Sequence, residues 1–182
     1  MDKRELRKYI RTVKSTVPFC EKLARSYAIM KQVEQLSAFV SSKTVLLYWS
    51  MEDEVQTHDF VEKWYRSKKI LLPCVDGDDL LLRQFNGKDC MKCGEQFGIE
   101  EPVGDVFTNL NLIDMIVVPG VAFDHNKNRM GRGRGFYDRL LKSTPNACKV
   151  GVAFDFQMVS AVPVESFDVR MDKVVSEYLI VE

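Results

Sequence analysis

The chain has 182 residues, 46% of them hydrophobic and 29% charged, and its 26 basic side chains are matched by 26 acidic ones. That length suits one domain with its own core, and the balanced, ordinarily apolar composition excludes a disordered or low-complexity chain. Zero net charge removes the overall basic excess of a dedicated nucleic-acid binder.

Residues 2–17 are predicted to form a helix: Asp2 can cap it, and Leu6, Ile10, Val13 and Val17 recur at helical spacing. Lys3, Arg4, Arg7, Lys8, Arg11 and Lys14 fall on the opposite face, read as solvated. Pro18 suits the first turn of a second helix reaching about Phe39, with Phe19, Leu23, Tyr27, Met30, Val33 and Leu36 as its apolar set. Residues 44–49 are a continuous apolar run, the pattern of a strand buried on both faces. A polar, acidic loop (50–56) follows, then a helix capped by Thr57 and carrying Phe60, Val61, Trp64 and Tyr65. Residues 69–75 read as the next buried strand, 76–79 as a turn and 80–85 as another strand.

Residues 86–108 have weak periodicity and are read as irregular, with at most a short helix. A strand is expected over 114–119, a short helix over 136–142, a strand over 149–154 and one more over 174–181. Strands alternating with helices argue an α/β fold around a mostly parallel sheet. No repeat or linker divides the chain, so residues 1–182 are read as one domain. The residues at the start of the chain lack the apolar core of a signal peptide, and no apolar run is long enough to span a bilayer. With five cysteines, an odd number, the expectation is a cytoplasmic protein with free thiols, away from membranes. Cys90 and Cys93 form a single C-x-x-C pair, too little for a zinc site.

The segment richest in chemistry runs from the strand at 116–119 through a glycine-rich turn into the helix at 136. Gly131, Gly133 and Gly135 let the backbone approach a ligand closely, and a helix start adds partial positive charge. Arg129, Arg132, Arg134 and Arg139 add forked cationic donors. Within 127–142 there are six basic residues and one acid, Asp138. A carboxylate there repels phosphate unless a cation intervenes, which points to Mg²⁺ and a nucleotide phosphate site. The segment is neither a P-loop nor a dinucleotide fingerprint, and a solvated surface turn is the alternative.

Residues 119–124 (PGVAFD) and 128–139 (NRMGRGRGFYDR) closely resemble the signature of the 5-formyltetrahydrofolate cyclo-ligase family. The opening KRELR, the acidic stretch at 50–57, Leu71-Leu72-Pro73, Glu101-Pro102 and the DKVV at 172–175 fall in the family's order, so the resemblance covers essentially the whole chain. It implies a Rossmann-like, three-layer α/β domain with an N-terminal helical hairpin. It also implies an ATP- and Mg²⁺-dependent cyclisation of 5-formyltetrahydrofolate to 5,10-methenyltetrahydrofolate, with release of ADP and phosphate, through a phosphorylated formyl intermediate.

Carried over position by position, the resemblance makes Lys3, Arg4, Arg7, Arg129, Met130, Gly131, Arg132, Gly133, Arg134, Gly135, Phe136 and Tyr137 ATP contacts. Arg132, Gly133, Arg134, Gly135 and Phe136, with Trp49 and Glu54, become folate contacts. Asp138 and Asp172 become the Mg²⁺ positions, and Arg132, Arg134 and Tyr137 the residues that carry the chemistry. Partners are then ATP and 5-formyltetrahydrofolate with its polyglutamates, without nucleic acid or membrane, and the expected state is a monomer. Three positions depart from the family's habit: Phe136 where Tyr is frequent, Arg134 where Gly or Lys is common, and Trp49 where an aliphatic residue is expected. An RNA-binding module built on the Arg–Gly run, or a silent homologue that binds folate or nucleotide, are the alternatives.

Overall fold

The computed structural model describes residues 1–94 and 98–182; residues 95–97, inside the stretch read as irregular, lie outside it. In chain order the elements are α1 (Lys3–Thr16), α2 (Phe19–Gln35), α3 (Ser37–Ser41), β1 (Thr44–Leu46), α4 (His58–Trp64), β2 (Lys69–Asp76), β3 (Asp79–Gln84), β4 (Met91–Cys93), β5 (Glu100–Pro102) and β6 (Met115–Pro119). They continue with β7 (Ala122–Asp124), β8 (Arg129–Met130), α5 (Phe136–Lys142), β9 (Cys148–Val152), β10 (Met158–Val159), β11 (Lys173–Val175) and β12 (Ile180–Val181).

The main sheet has the order β12-β11-β9-β6-β1-β2-β3. Its central strands β11, β9, β6, β1 and β2 are parallel, and the two edge strands are antiparallel. Counting parallel strands only, the order is 2-1-3-4-5, a doubly wound sheet whose direction of winding reverses between β1 and β6. In such sheets the loops leaving the carboxyl ends of those two strands diverge to opposite faces and open a crevice. Here those loops are the acidic stretch after β1 and the glycine-arginine stretch after β6.

Alternation along the strands divides the core. Val45 and Leu47, Ile70 and Leu72, and Met115 and Val117 face α2 and α4 through Ile29, Val33, Phe60 and Val61. Leu46, Leu71, Ile116 and Val118 face α5 through Leu140 and Leu141. Covered on both faces, these strands show the unbroken apolar runs seen in the sequence. A smaller sheet, β10-β7-β8, carries α1 on Leu6 and Ile10, which meet Ala122, Met130 and Val162.

The helix ends reflect local chemistry. Asp2 caps α1 in a capping box, accepting the Glu5 amide while the Glu5 carboxylate accepts the Asp2 amide, each at 2.8 Å. The two N-terminal helices follow one another across Pro18 but sit on different surfaces, α1 on the small sheet and α2 on the main one.

Four expectations need correction. The second helix stops at Gln35, because Leu36 turns to an extended ψ of 133° and restarts the short α3; the break lets both Leu36 and Phe39 reach the core. Only its second half covers the sheet, so Phe19, Leu23 and Tyr27 lie exposed while Ile29, Met30 and Val33 are buried. The stretch read as irregular contains the antiparallel pair β4 and β5, whose three-residue strands pair by backbone with little apolar alternation to announce them. The strand expected over 174–181 is two strands, folded back at Ser176, whose hydroxyl accepts the amides of Tyr178 and Leu179. No helix among the described residues is long and apolar enough to cross a membrane.

Candidate active site

Strand β6 ends at Pro119, and the chain turns through the β7–β8 hairpin before entering the glycine-rich loop. Asp124, 1% exposed, shapes that hairpin: one oxygen accepts the amides of Asn126 and Asn128, the other the Asn128 side chain and the Val162 amide. Phe123 is wedged beneath. A Cβ at either Gly120 or Gly151 would come within 2.5 Å of its ring, so both glycines make room for it. In the loop itself Gly133 sits at φ 107° and Gly135 at φ 70°, left-handed values that favour glycine. Two of the three alternating glycines are thus demanded by the backbone.

Four arginines surround this loop in different ways. Arg129 is buried beneath it, 4% exposed at its side chain, donating to the Pro119 carbonyl at 3.2 Å and to the Asp138 carboxylate at 3.1 Å. Its guanidinium also lies over the Tyr137 ring, 5.5 Å from the centroid, and its buried Nε finds no partner among the described residues. Arg7 reaches over from α1 and donates from Nε to the Gly131 carbonyl at 3.0 Å. Arg134 and Arg139 stack against Phe136 at 5.3 and 5.6 Å, so the phenyl ring, lacking a tyrosine's hydroxyl, serves as a platform for cations. Arg139 also anchors the β2–β3 turn through Asp79.

Arg132 closes the crevice. Its terminal nitrogen donates to Asp53 at 2.7 Å and to Glu54 at 3.1 Å, joining the loop after β6 to the loop after β1. Asp53 in turn meets Lys14 of α1 at 3.4 Å. Burial alone would raise the Asp53 pKa, but Lys14 and Arg132 outweigh it and hold the carboxyl below its ordinary value. Lys14 was read as part of a solvated face. It is instead 6% exposed, and that burial lowers its pKa. Its position four residues after Ile10 and eight after Leu6, in line with the buried stripe, was the available signal. Tyr137 is pushed well above the ordinary tyrosine range, chiefly by burial and then by Glu54, so its hydroxyl remains a donor and not a base.

The remaining sequence-predicted residues are placed less uniformly. Met130 is buried, packing α1 onto the small sheet. Lys3 pairs with Asp168 at 2.7 Å and Glu165 at 3.1 Å, and Arg4 is exposed beside it. Trp49 is 7% exposed, its ring stacked on His58 at 3.9 Å with Phe85 at 5.7 Å. Glu54 is oriented by a bond from the Met51 amide to its second oxygen at 3.0 Å.

The two proposed metal ligands are not brought together. Asp138 lies in the first turn of α5 at the carboxyl edge of the sheet, one oxygen on Arg129 and the other accepting the Val169 amide at 3.1 Å. Asp172 lies at the amino edge, accepting the Lys149 amide at 2.7 Å, in a cleft of about 520 Å³ shared with Ser42, Asp114 and Cys148. Strand β9 separates the two edges, since Lys173 pairs with Val150 while Pro119 pairs with Val152. No group of three or more His, Cys, Asp or Glu side chains that could hold a metal ion occurs among the described residues. An ion clasped by Asp138 and Asp172 therefore does not fit this arrangement. The repulsion that suggested one is relieved by Arg129 instead.

A doubly wound sheet with a cationic, glycine-bent loop facing an acidic loop across its switch point is the layout of an α/β enzyme that works on a small anionic ligand. A family model described as 5-formyltetrahydrofolate cyclo-ligase family matches residues 1–177, and the chain belongs to that family. It is 30% identical to a 5-formyltetrahydrofolate cyclo-ligase of Haemophilus influenzae over 93% of this chain and 94% of that one. Against a protein of the same description from Escherichia coli K12 it is 32% identical over 75% of this chain and 79% of that one. The fold matches the NMR structure of Aquifex aeolicus 5,10-methenyltetrahydrofolate synthetase with a TM-score of 0.88 and 35% identity, covering 99% of this chain and 92% of that one. The 5,10-methenyltetrahydrofolate synthetase from Mycoplasma pneumoniae matches with a TM-score of 0.78 and 26% identity, over 97% and 99% of the two chains. Between an enzyme and the RNA-binding module that the Arg–Gly run suggested, this membership selects an enzyme of the folate cyclo-ligase class.

Proposed function

We propose that the protein uses ATP to cyclise 5-formyltetrahydrofolate to 5,10-methenyltetrahydrofolate, with the nucleotide on the glycine-arginine loop and the folate on the acidic loop. The observation that carries this reading is the contact between Arg132 and Glu54, 3.1 Å across the switch point. It sets the guanidinium expected to meet phosphate beside the carboxylate expected to meet folate, as a transfer between two substrates requires.

The chemistry follows in two balanced steps. The formyl oxygen attacks the γ-phosphorus, the bond to ADP breaks, and the formyl carbon becomes an imidoyl phosphate. N10 then attacks that carbon and gives up its proton to the departing phosphate or to water, the C–O bond to phosphate breaks, and the ring closes as phosphate leaves. Phosphoryl transfer asks the protein mainly for alignment and charge neutralisation. Arg7, Arg132 and Arg134 supply positive charge along the bent backbone, and Tyr137 stays protonated as a hydrogen-bond donor. Magnesium would be supplied with the nucleotide and would neutralise part of its phosphate charge.

Purified protein with 5-formyltetrahydrofolate, ATP and Mg²⁺ should develop the near-ultraviolet absorbance of methenyltetrahydrofolate. Binding of both substrates without that change would make the chain a silent homologue. Arg132→Ala should lose about 2–4 kcal/mol of transition-state stabilisation, the scale of one preorganised charge contact. A wild-type rate in that variant would move the phosphoryl contact elsewhere.

A further inference from the structure

The acidic loop after β1 has no regular structure, yet it holds the one guanidinium among the described residues that bridges the two substrate loops. Arg132 makes both of its ion pairs through the same terminal nitrogen, to Asp53 at 2.7 Å and Glu54 at 3.1 Å. Its opposite edge takes no bond among the described residues. Glu54 is also the carboxylate expected to meet folate, so a bound folate must share it. Asp53 then remains as the hold on Arg132.

Behind Asp53 stands a buried ammonium. The Lys14 side chain is 7% exposed, and among the described residues its Nζ has one bond, 3.4 Å to the Asp53 oxygen that Arg132 does not use. A buried ammonium with a single long hydrogen bond is costly to keep unless the charge is needed. The charge count shows the need. Arg132 and Lys14 offset Asp53 and Glu54, so the cluster is neutral; without Lys14 it would carry a net negative charge beside the incoming triphosphate.

We infer that Asp53 is the positioning residue that aims Arg132 at the transferred phosphoryl group, and that Lys14 is the buried counter-charge that lets a carboxylate do this without repelling the nucleotide. The inference rests on the cyclo-ligase reading and assigns new roles to two residues of its site. Asp53 holds one nitrogen of the fork, leaving the other edge turned to the ligand. Lys14 holds the second Asp53 oxygen and cancels its charge.

The two roles separate kinetically. Asp53→Asn should lower kcat ten- to a hundredfold with the KM for folate within twofold of wild type, because aim is lost while folate contacts remain. Asp53→Glu, which restores the charge, should recover most of that loss. Lys14→Met should raise the KM for ATP severalfold, with kcat less affected. In the double variant Asp53→Asn/Lys14→Met the cluster is neutral again. Its KM for ATP should return toward wild type while kcat stays as low as in Asp53→Asn.

The same loss and recovery should appear in the dissociation constant of a non-hydrolysable ATP analogue with Mg²⁺, measured by calorimetry on the full chain. An unchanged kcat in Asp53→Asn overturns the positioning role. A Lys14→Met protein that binds the analogue as tightly as wild type, or a double variant that binds it as weakly as Lys14→Met, overturns the counter-charge role. A wild-type protein that binds the analogue but never forms methenyltetrahydrofolate overturns the cyclo-ligase reading, while the calorimetric comparison still decides the counter-charge role.

Discussion

Replacing Asp138 by asparagine separates two readings of that carboxylate by the sign of a stability change. In the structure one Asp138 oxygen pairs with Arg129 at 3.1 Å, and the two side chains are 15% and 4% exposed. The other oxygen accepts the Val169 amide, tying α5 to the segment that leads into β11. An asparagine keeps one acceptor but presents an NH₂ where a second was needed, and it leaves a buried guanidinium without its counter-charge. Removing one partner of a buried ion pair costs about 3–5 kcal/mol, and the retained acceptor puts the loss near the low end, about 3 kcal/mol. For a chain of this size that is a fall in Tm of about 6–12 °C. Thermal and urea unfolding of wild type and Asp138→Asn in metal-free buffer measure it directly. Arg129→Met combined with Asp138→Leu should unfold later than Asp138→Asn alone, since no buried charge is stranded. A carboxylate reserved for a metal ion would behave oppositely, leaving the ion-free protein as stable or more so when neutralised. If Asp138→Asn unfolds at or above the wild-type temperature without metal, the role of Arg129 as its partner is wrong.

Other expectations follow from single contacts. Asp172→Asn weakens the bond to the Lys149 amide at the amino edge, so it should lose about 1 kcal/mol of stability and keep its turnover; a collapse of kcat would return Asp172 to the chemistry. Gly133→Ala forces a side chain to φ 107°, at a cost of about 1–3 kcal/mol, and should weaken nucleotide binding; an equally tight variant would show that the loop does not need this conformation. Cys74, 5% exposed and pushed up to about 11 by burial, should resist a thiol reagent at pH 8, where the exposed Cys20 and Cys93 react; rapid Cys74 labelling in the native protein contradicts this. His58 is half-buried against Trp49, and that burial outweighs the raising effect of its bond to the Ser50 carbonyl and holds its pKa below the ordinary 6.5. Its contribution to stability is therefore complete above pH 6.5 and fades as pH falls below that value. In a Trp64→Phe variant, Trp49 emission should titrate below pH 6.5, and a midpoint above it refutes the burial argument.

The reach of the sequence depends on how local the cause is. The central strands announced themselves because burial on both faces leaves an unbroken apolar run, and α5 was legible at both ends because the glycine turn and its apolar pair lie within a few residues. The glycine-arginine loop was likewise plain, since a backbone at positive φ constrains residue type at the position itself. What the sequence could not decide is which charges meet. Lys14 and Arg7 share one helix face with residues that are solvated, and only the seating of α1 on the small sheet buries one and lays the other against Gly131. Asp138 looked like half of a metal site until the fold put Arg129 beside it and Asp172 at the far edge. Asp53 drew no notice as one acid in an acidic loop. It matters because the winding of the sheet reverses between β1 and β6 and brings two loops, almost eighty residues apart in the chain, to one guanidinium. Composition and periodicity are properties of neighbours along the chain, whereas pairing of charge is a property of neighbours in space.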